Sequence, residues 1–180
     1  MVLVMTLNKK IVFKGQYLKL IVDRDWEYIE RCRCRGVVII VAIMTDGRVL
    51  LTEQFRPPVN KQVIEFPAGL VADRPSIRKE TLLAAAKREL LEETGYAAKR
   101  MSVLTQGPAS SGSSAVILTF VRAQGLRKQH DGGGDGTESI VVHAVALERI
   151  ESWLKRKQQV GCLVDPKIYA GLYFINKYNK

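Results

Sequence analysis

Cysteine is scarce in this chain: three residues in 180, Cys32, Cys34 and Cys162. An odd count with no C-x-x-C pair and no His/Cys zinc spacing argues against a disulfide scaffold or a structural zinc site. Cys32 and Cys34 flank Arg33 and are expected to point to one side of a strand, as packing residues. Long apolar runs are missing too. None approaches the roughly 20 residues that span a bilayer. Residues 1–7 are too short for a signal peptide and lack its basic start. The expectation is a cytoplasmic protein with no membrane partner. Acidic residues are outnumbered, 18 against 28 Lys and Arg, for a net charge of +10. Such a surface attracts anions. Its basic clusters, at 31–35, 99–100 and 155–157, hold few interleaved aromatics and no RNA-binding signature. Nucleic acid is therefore disfavoured as a partner, and the charge reads as a solvated surface that steers small anions. No segment repeats.

What is present fits one core. A hydrophobic content of 47 % suits a globular protein, and 180 residues can bury one good core with a small appendage. Residues 1–35 alternate short β-like runs (11–13, 17–22, 26–31) with turn residues at Gly15 and Asp23-Arg24-Asp25. So few strands do not make a stable domain by themselves. This N-terminal β segment is expected to pack on the rest or on a second subunit, with residues 36–180 as the main domain. There the β-branched run 36–44 reads as a buried strand and Asp46-Gly47 as a hairpin turn into 49–53. Residues 63–66, 116–121 and 140–147 read as further strands. Helices are expected over 80–94, 147–158 and 166–178, with Pro166 suited to a first turn. Residues 125–137, which contain Gly132-Gly133-Gly134, read as a mobile loop. Mixed strands around amphipathic helices indicate an α/β sandwich.

The helix over 80–94 carries the chemistry. It reads Glu-Thr-Leu-Leu-Ala-Ala-Ala-Lys-Arg-Glu-Leu-Leu-Glu-Glu-Thr before Gly95, a natural stop. At about 100° per residue, Glu92 lies roughly 60° to one side of Glu89 and Glu93 roughly 40° to the other. Three carboxylates share one narrow face, with Leu83 and Leu90 on the flank where a core-facing stripe would sit. Crowded carboxylates repel and raise each other's pKa unless a cation neutralises them. Their hard oxygens suit Mg²⁺, Mn²⁺ or Ca²⁺. The competing reading is a solvated helix face with Arg88 pairing locally; the order of the residues decides between them.

That order is Glu80, seven residues, Arg88-Glu89-Leu90, one residue, Glu92-Glu93, one residue, Gly95-Tyr96. It resembles the Nudix box, G-x5-E-x7-R-E-U-x-E-E-x-G-U, and from Glu80 onward the match is complete. The motif glycine should lie six residues before Glu80, where this chain has Arg74. Gly69 is its counterpart, and the longer loop between them contains Asp73, Arg74, Pro75, Arg78 and Lys79. Loops accept such insertions at low thermodynamic cost. Further segments are similar to the ADP-ribose and ADP-sugar pyrophosphatase branch of the Nudix hydrolases. They are Trp26-Glu27-Tyr28-Ile29-Glu30-Arg31, Asp46-Gly47-Arg48, Glu53-Gln54-Phe55-Arg56-Pro57-Pro58 and Glu65-Phe66-Pro67-Ala68-Gly69.

The resemblance implies an α/β/α Nudix sandwich with a mixed sheet. It implies hydrolysis of the pyrophosphate bond of ADP-ribose or a related nucleoside diphosphate sugar, giving AMP and a sugar phosphate. The cofactor implied is Mg²⁺, with Mn²⁺ as the alternative, held by Glu89, Glu92, Glu93 and the main-chain carbonyl of Ala68. Arg88 and Glu80 would hold the helix and its carboxylates in orientation. Glu138, just past the glycine-rich loop, would act as base or further metal ligand, with Glu92 as the alternative base. Arg56 and Glu65 stand where the branch meets the substrate's phosphates or ribose, which a planar guanidinium suits. Trp26 and Tyr28 would stack on adenine across a homodimer interface built by residues 1–35; packing beneath the N-terminal strands is the competing role. His143 reads as structural.

Two departures bear on the substrate. Residues 108–112 read Pro-Ala-Ser-Ser-Gly, without the second proline common in the branch, and Ser113-Ser114 follow where an acid is common. Another nucleotide sugar or a dinucleotide is therefore the alternative substrate. A non-catalytic nucleotide- or RNA-binding module is the alternative class, and the presence of all three box acids speaks against it.

Overall fold

The computed structural model describes residues 8–134 and 139–178. Glu138 lies outside the described residues. Strands β1 (Lys9–Lys14), β2 (Leu18–Asp23) and β3 (Trp26–Arg31) form an antiparallel sheet in that order. β3 docks on the body of the chain: Ile29 N donates to Ser113 O and Ala115 N to Ile29 O, both at 3.0 Å. The N-terminal segment thus packs on the rest of the chain. Cys32 and Cys34 fall just past the end of β3, in irregular chain and not on a strand as expected, and all three thiols are free.

The body follows with β4 (Val37–Ala42), β5 (Arg48–Arg56), β6 (Lys61–Glu65), β7 (Ala68–Leu70), α1 (Leu82–Thr94), β8 (Tyr96–Pro108) and β9 (Ile117–Lys128). It closes with β10 (Ile140–Ala146), α2 (Ile150–Gln159), β11 (Leu163–Val164) and α3 (Lys167–Tyr178). Two four-stranded sheets result, ordered β7-β4-β9-β8 and β10-β5-β6-β11. Both are mixed, since β4 runs parallel to β9 and β11 parallel to β6.

β4 shows why the layers stack as they do. Its side chains alternate across the strand. Val38, Ile40 and Ala42 pack in one core with Ala85, Ala86 and Leu90 of α1. Ile39 and Val41 belong to the other core, with Ile150 and Leu154 of α2 and Ile168 and Leu172 of α3. A run apolar at every position is buried on both faces, and helices lie on both sides. This is the expected α/β/α sandwich. Leu83 packs partly buried against the α1 core, on the flank it was expected to occupy. Among the described residues no helix is long and apolar enough to cross a membrane.

Three expectations need correction. The Asp46-Gly47 turn forms, but β4 and β5 meet there only through the single bridge Ile43–Val49 and then part into different sheets. Each strand finds its ladder elsewhere, so the turn joins two layers instead of closing a hairpin. Residues 125–128 are strand, the end of β9, where a loop was expected. β8, thirteen residues long, was not foreseen as a strand at all. It is a sheet edge whose polar residues (Lys99, Arg100, Ser102, Gln106) blur any alternation.

Candidate active site

α1 begins where Thr81 caps it, accepting from Ala84 N at 3.2 Å. It stops at Gly95, whose φ of 75° is the left-handed cap that glycine supplies cheaply. Glu80 therefore stands before the helix and not on it, and it reaches Arg88 from the preceding loop. Arg88 uses all five of its N–H donors. Nε and Nη2 fork onto Glu80 at 2.8 and 3.1 Å. Nη2 also donates to Leu70 O at 3.1 Å. Nη1 donates to Glu89 at 2.8 Å and to Glu92 at 3.1 Å. One guanidinium thus ties the helix to the end of β7 and spans two of the three box carboxylates. Its hydrogen bonds hold the Glu80 carboxyl below its usual range and the Arg88 guanidinium above its own.

Glu89 behaves differently. Burial pushes its carboxyl up to about 7, and Arg88 only partly offsets this. The ion pair alone would pull the value down; desolvation wins because the carboxylate is pressed against backbone. A Cβ on Gly69 would lie 1.9 Å from Glu89 Cδ. The missing side chain makes the seat for this carboxylate. Glu93 is buried and accepts from Ala68 N at 3.1 Å. That bond places it beside the residue whose carbonyl was expected as a ligand.

Ala68, Gly69 and the three carboxylates Glu89, Glu92 and Glu93 line one cavity of about 540 Å³. Arg56 and Glu65 line it too, joined by a 2.7 Å bond from Arg56 Nε to Glu65 Oε2. The buried Glu65 holds the guanidinium at the cavity wall. Arg88 and Glu80 do not line this cavity. His143 bonds Glu53 at 2.7 Å, away from the cavity, as a structural residue.

Trp26 and Tyr28 are not brought into this cavity. Alternation along β3 puts Ile29 and Arg31 on the cavity and Trp26 and Tyr28 on the opposite face, in a separate depression of about 400 Å³. Trp26 is 59 % exposed there, so it does not pack beneath the N-terminal strands either. The cavity is also lined by Asp73 and Arg74 of the longer loop, by Ser114 where an acid is common in the branch, and by two residues not expected there, Arg31 and Lys167. Arg31 was legible from strand parity. Lys167 arrives on α3, ion-paired to Asp165, and nothing local announces it.

The donor chemistry fits a hard divalent ion. Three carboxylates and a backbone carbonyl are oxygen donors, and a buried acid raised toward neutrality is one that a cation would stabilise in its charged form. Among the described residues, no three Asp, Glu, His or Cys side chains converge as an ion-binding set. Arg88 bridges Glu89 and Glu92 instead.

Comparison with known proteins agrees with this architecture. The family model for the NUDIX domain matches residues 33–160. ADP-sugar pyrophosphatase of Mus musculus is 52 % identical over 163 residues, spanning 82 % of this chain and 72 % of that protein. ADP-ribose pyrophosphatase of Saccharomyces cerevisiae is 40 % identical over 174 residues, spanning 89 % and 72 %. A methanol dehydrogenase activator of Bacillus methanolicus is 30 % identical over 161 residues, spanning 85 % and 84 %. A crystal structure of an ADP compounds hydrolase shares the fold, with a TM-score of 0.71 at 21 % identity over 96 % of this chain and 92 % of that one. The chain belongs to the Nudix family, and the enzyme is a Nudix hydrolase.

Proposed function

We propose that the enzyme hydrolyses the pyrophosphate bond of ADP-ribose or a related nucleoside diphosphate sugar, releasing AMP and a sugar phosphate in the cytoplasm. One observation carries this reading. The cavity sets Glu89, Glu92 and Glu93 against cationic side chains, Arg31, Arg56 and Lys167, in a space of about 540 Å³. A diphosphate needs both: cations to neutralise its oxygens, and carboxylates to hold a metal among them. The pyrophosphatases of mouse and yeast named above support the substrate class.

Glu89, Glu92, Glu93 and the Ala68 carbonyl would hold Mg²⁺. When bound, the ion neutralises phosphate charge and lowers the pKa of water. Arg56, oriented by Glu65, binds a phosphate or ribose oxygen through its planar fork. Arg88 and Glu80 keep the box carboxylates in place. Glu138, outside the described residues, is the proposed base, and Glu92, the most exposed of the three carboxylates at 32 %, is the alternative.

The adenine-stacking residue is supplied by a second copy. Trp26 faces away from its own chain's cavity, and the N-terminal segment exposes Phe13 and Tyr17 as well. A homodimer through residues 1–35 would cover these rings and present Trp26 to the partner's substrate.

A hydrolysis panel tests the proposal: ADP-ribose, other nucleotide sugars, dinucleoside polyphosphates and capped RNA, each with Mg²⁺, Mn²⁺ or EDTA. AMP and ribose 5-phosphate from ADP-ribose, lost in EDTA, is the expected result. Turnover of another compound with ADP-sugars untouched would overturn it.

A further inference from the structure

Residues 129–134, glycine-rich and expected as part of a mobile loop, are seated on the end of α1. That helix ends with Glu92-Glu93-Thr94 and has no basic residue in its last turn. Acids there face the negative end of the helix dipole, and the last carbonyls have no partner within the helix. Backbone N–H groups supply what is missing. Gln129 N and His130 N donate to Gly95 O at 2.7 and 3.3 Å, Gly133 N to Glu93 O at 2.9 Å, and Gly134 N to Glu92 O at 3.1 Å. Gly132, Gly133 and Gly134 have φ of 75°, 109° and 93°, a run of left-handed residues that side chains would strain.

The fit is steric as well as polar. A Cβ on Gly132 would stand 2.5 Å from the carbonyl carbon of Thr94, and one on Gly95 would stand 2.0 Å from His130 O. Both contacts are with backbone, which cannot swing aside. Gly134 continues into the cavity wall beside Glu92 and Glu93.

We propose that residues 129–134 are a backbone strap that clamps the last turn of α1 and thereby sets the position of the Glu92 and Glu93 carboxylates. The triglycine serves by holding, through peptide groups no larger residue could bring so close. The strap rests on the reading of Glu92 and Glu93 as metal ligands.

The test uses metal-free protein and Mn²⁺ as the probe, read by calorimetry, with amide hydrogen exchange at Gly133 and Gly134. Gly132→Ala introduces the clash with Thr94. Gly47→Ala is the control, since Gly47 has a similar φ of 79° but open space at its Cβ. Gly132→Ala should weaken Mn²⁺ binding at least about tenfold and expose both amides to exchange, while Gly47→Ala stays within about twofold of wild type; tenfold is about 1.4 kcal/mol. Should Gly132→Ala fail to fold, Gly133→Ala takes its place, because its Cβ meets no atom within 4 Å and only the backbone is strained. Normal Mn²⁺ binding and normal amide protection in the strap variant, with binding lost in Glu93→Gln, would overturn the strap alone. Normal binding in Glu93→Gln would overturn the ligand reading beneath it.

Discussion

Gly69 lies against the Glu89 carboxylate so closely that a Cβ would stand 1.9 Å from Cδ and 2.1 Å from Oε1. The obstructed atoms are the far end of a side chain, so they can shift where a backbone could not. Gly69→Ala should therefore fold with a loss of about 1 kcal/mol, yet displace the carboxylate and reduce turnover by about a hundredfold or more. Thermal melts beside steady-state kinetics separate the two effects. Turnover near wild type would mean that Glu89 needs no fixed seat.

Arg88 touches Glu80, Glu89, Glu92 and Leu70 O but does not line the cavity. Arg88→Lys keeps the charge and loses the fork, leaving half-buried carboxylates short of partners. It should lower stability by about 2 kcal/mol or more and kcat by about a hundredfold, with KM for ADP-ribose little changed. A large rise in KM at unchanged kcat would make Arg88 a direct phosphate ligand instead.

The raised Glu89 carboxyl links stability to pH in the metal-free protein. Glu89 binds its proton near pH 7 when folded and near 4.5 when unfolded. Between those values the folded state holds the proton more tightly, so the stabilisation is full below about pH 4.5 and disappears as pH rises through 7. The loss is at most about 3 kcal/mol, at about 1.4 per unit. Melts of EDTA-treated protein at pH 5 and pH 8 should show it, and Glu89→Gln should remove it. Mg²⁺ should restore more stability at pH 8 than at pH 5, because it binds the deprotonated ligand. A metal-free Tm that does not fall between these values would contradict the burial argument.

The box carboxylates were legible because a helix turns sequence spacing into geometry: Glu89 and Glu93 are one turn apart, and both face the cavity. Gly95 as the stop was legible for the same local reason. Trp26 and Tyr28 share a parity opposite to Ile29 and Arg31, so their distance from the cavity was readable once β3 was placed. Lys167 was not, since it joins the site only through the docking of α3. The bonds from Gly133 and Gly134 to α1 are made by backbone, which leaves no compositional trace beyond the glycines, and glycine runs read as loose chain.

Trp26 facing away from its own cavity predicts a dimer by light scattering. Trp26→Ala should raise KM for ADP-ribose about tenfold, the loss of one stacked base being about 1–3 kcal/mol. Mixing Trp26→Ala with Glu93→Gln should restore activity, since the hybrid contains one site with intact carboxylates and an intact partner indole. A monomer in solution, or no restoration on mixing, would contradict a ring shared between subunits.

The rate of ADP-ribose hydrolysis with Mg²⁺ by Glu89→Gln and Glu93→Gln, each verified as folded by circular dichroism, tests the role of the α1 carboxylates most directly. Glutamine keeps the size of the side chain and loses the charge that would hold the ion, removing several kcal/mol of transition-state stabilisation. Each variant should fall at least about a thousandfold below wild type. Either one turning over within about tenfold of wild type would contradict the assignment of the α1 carboxylates as the centre of the reaction.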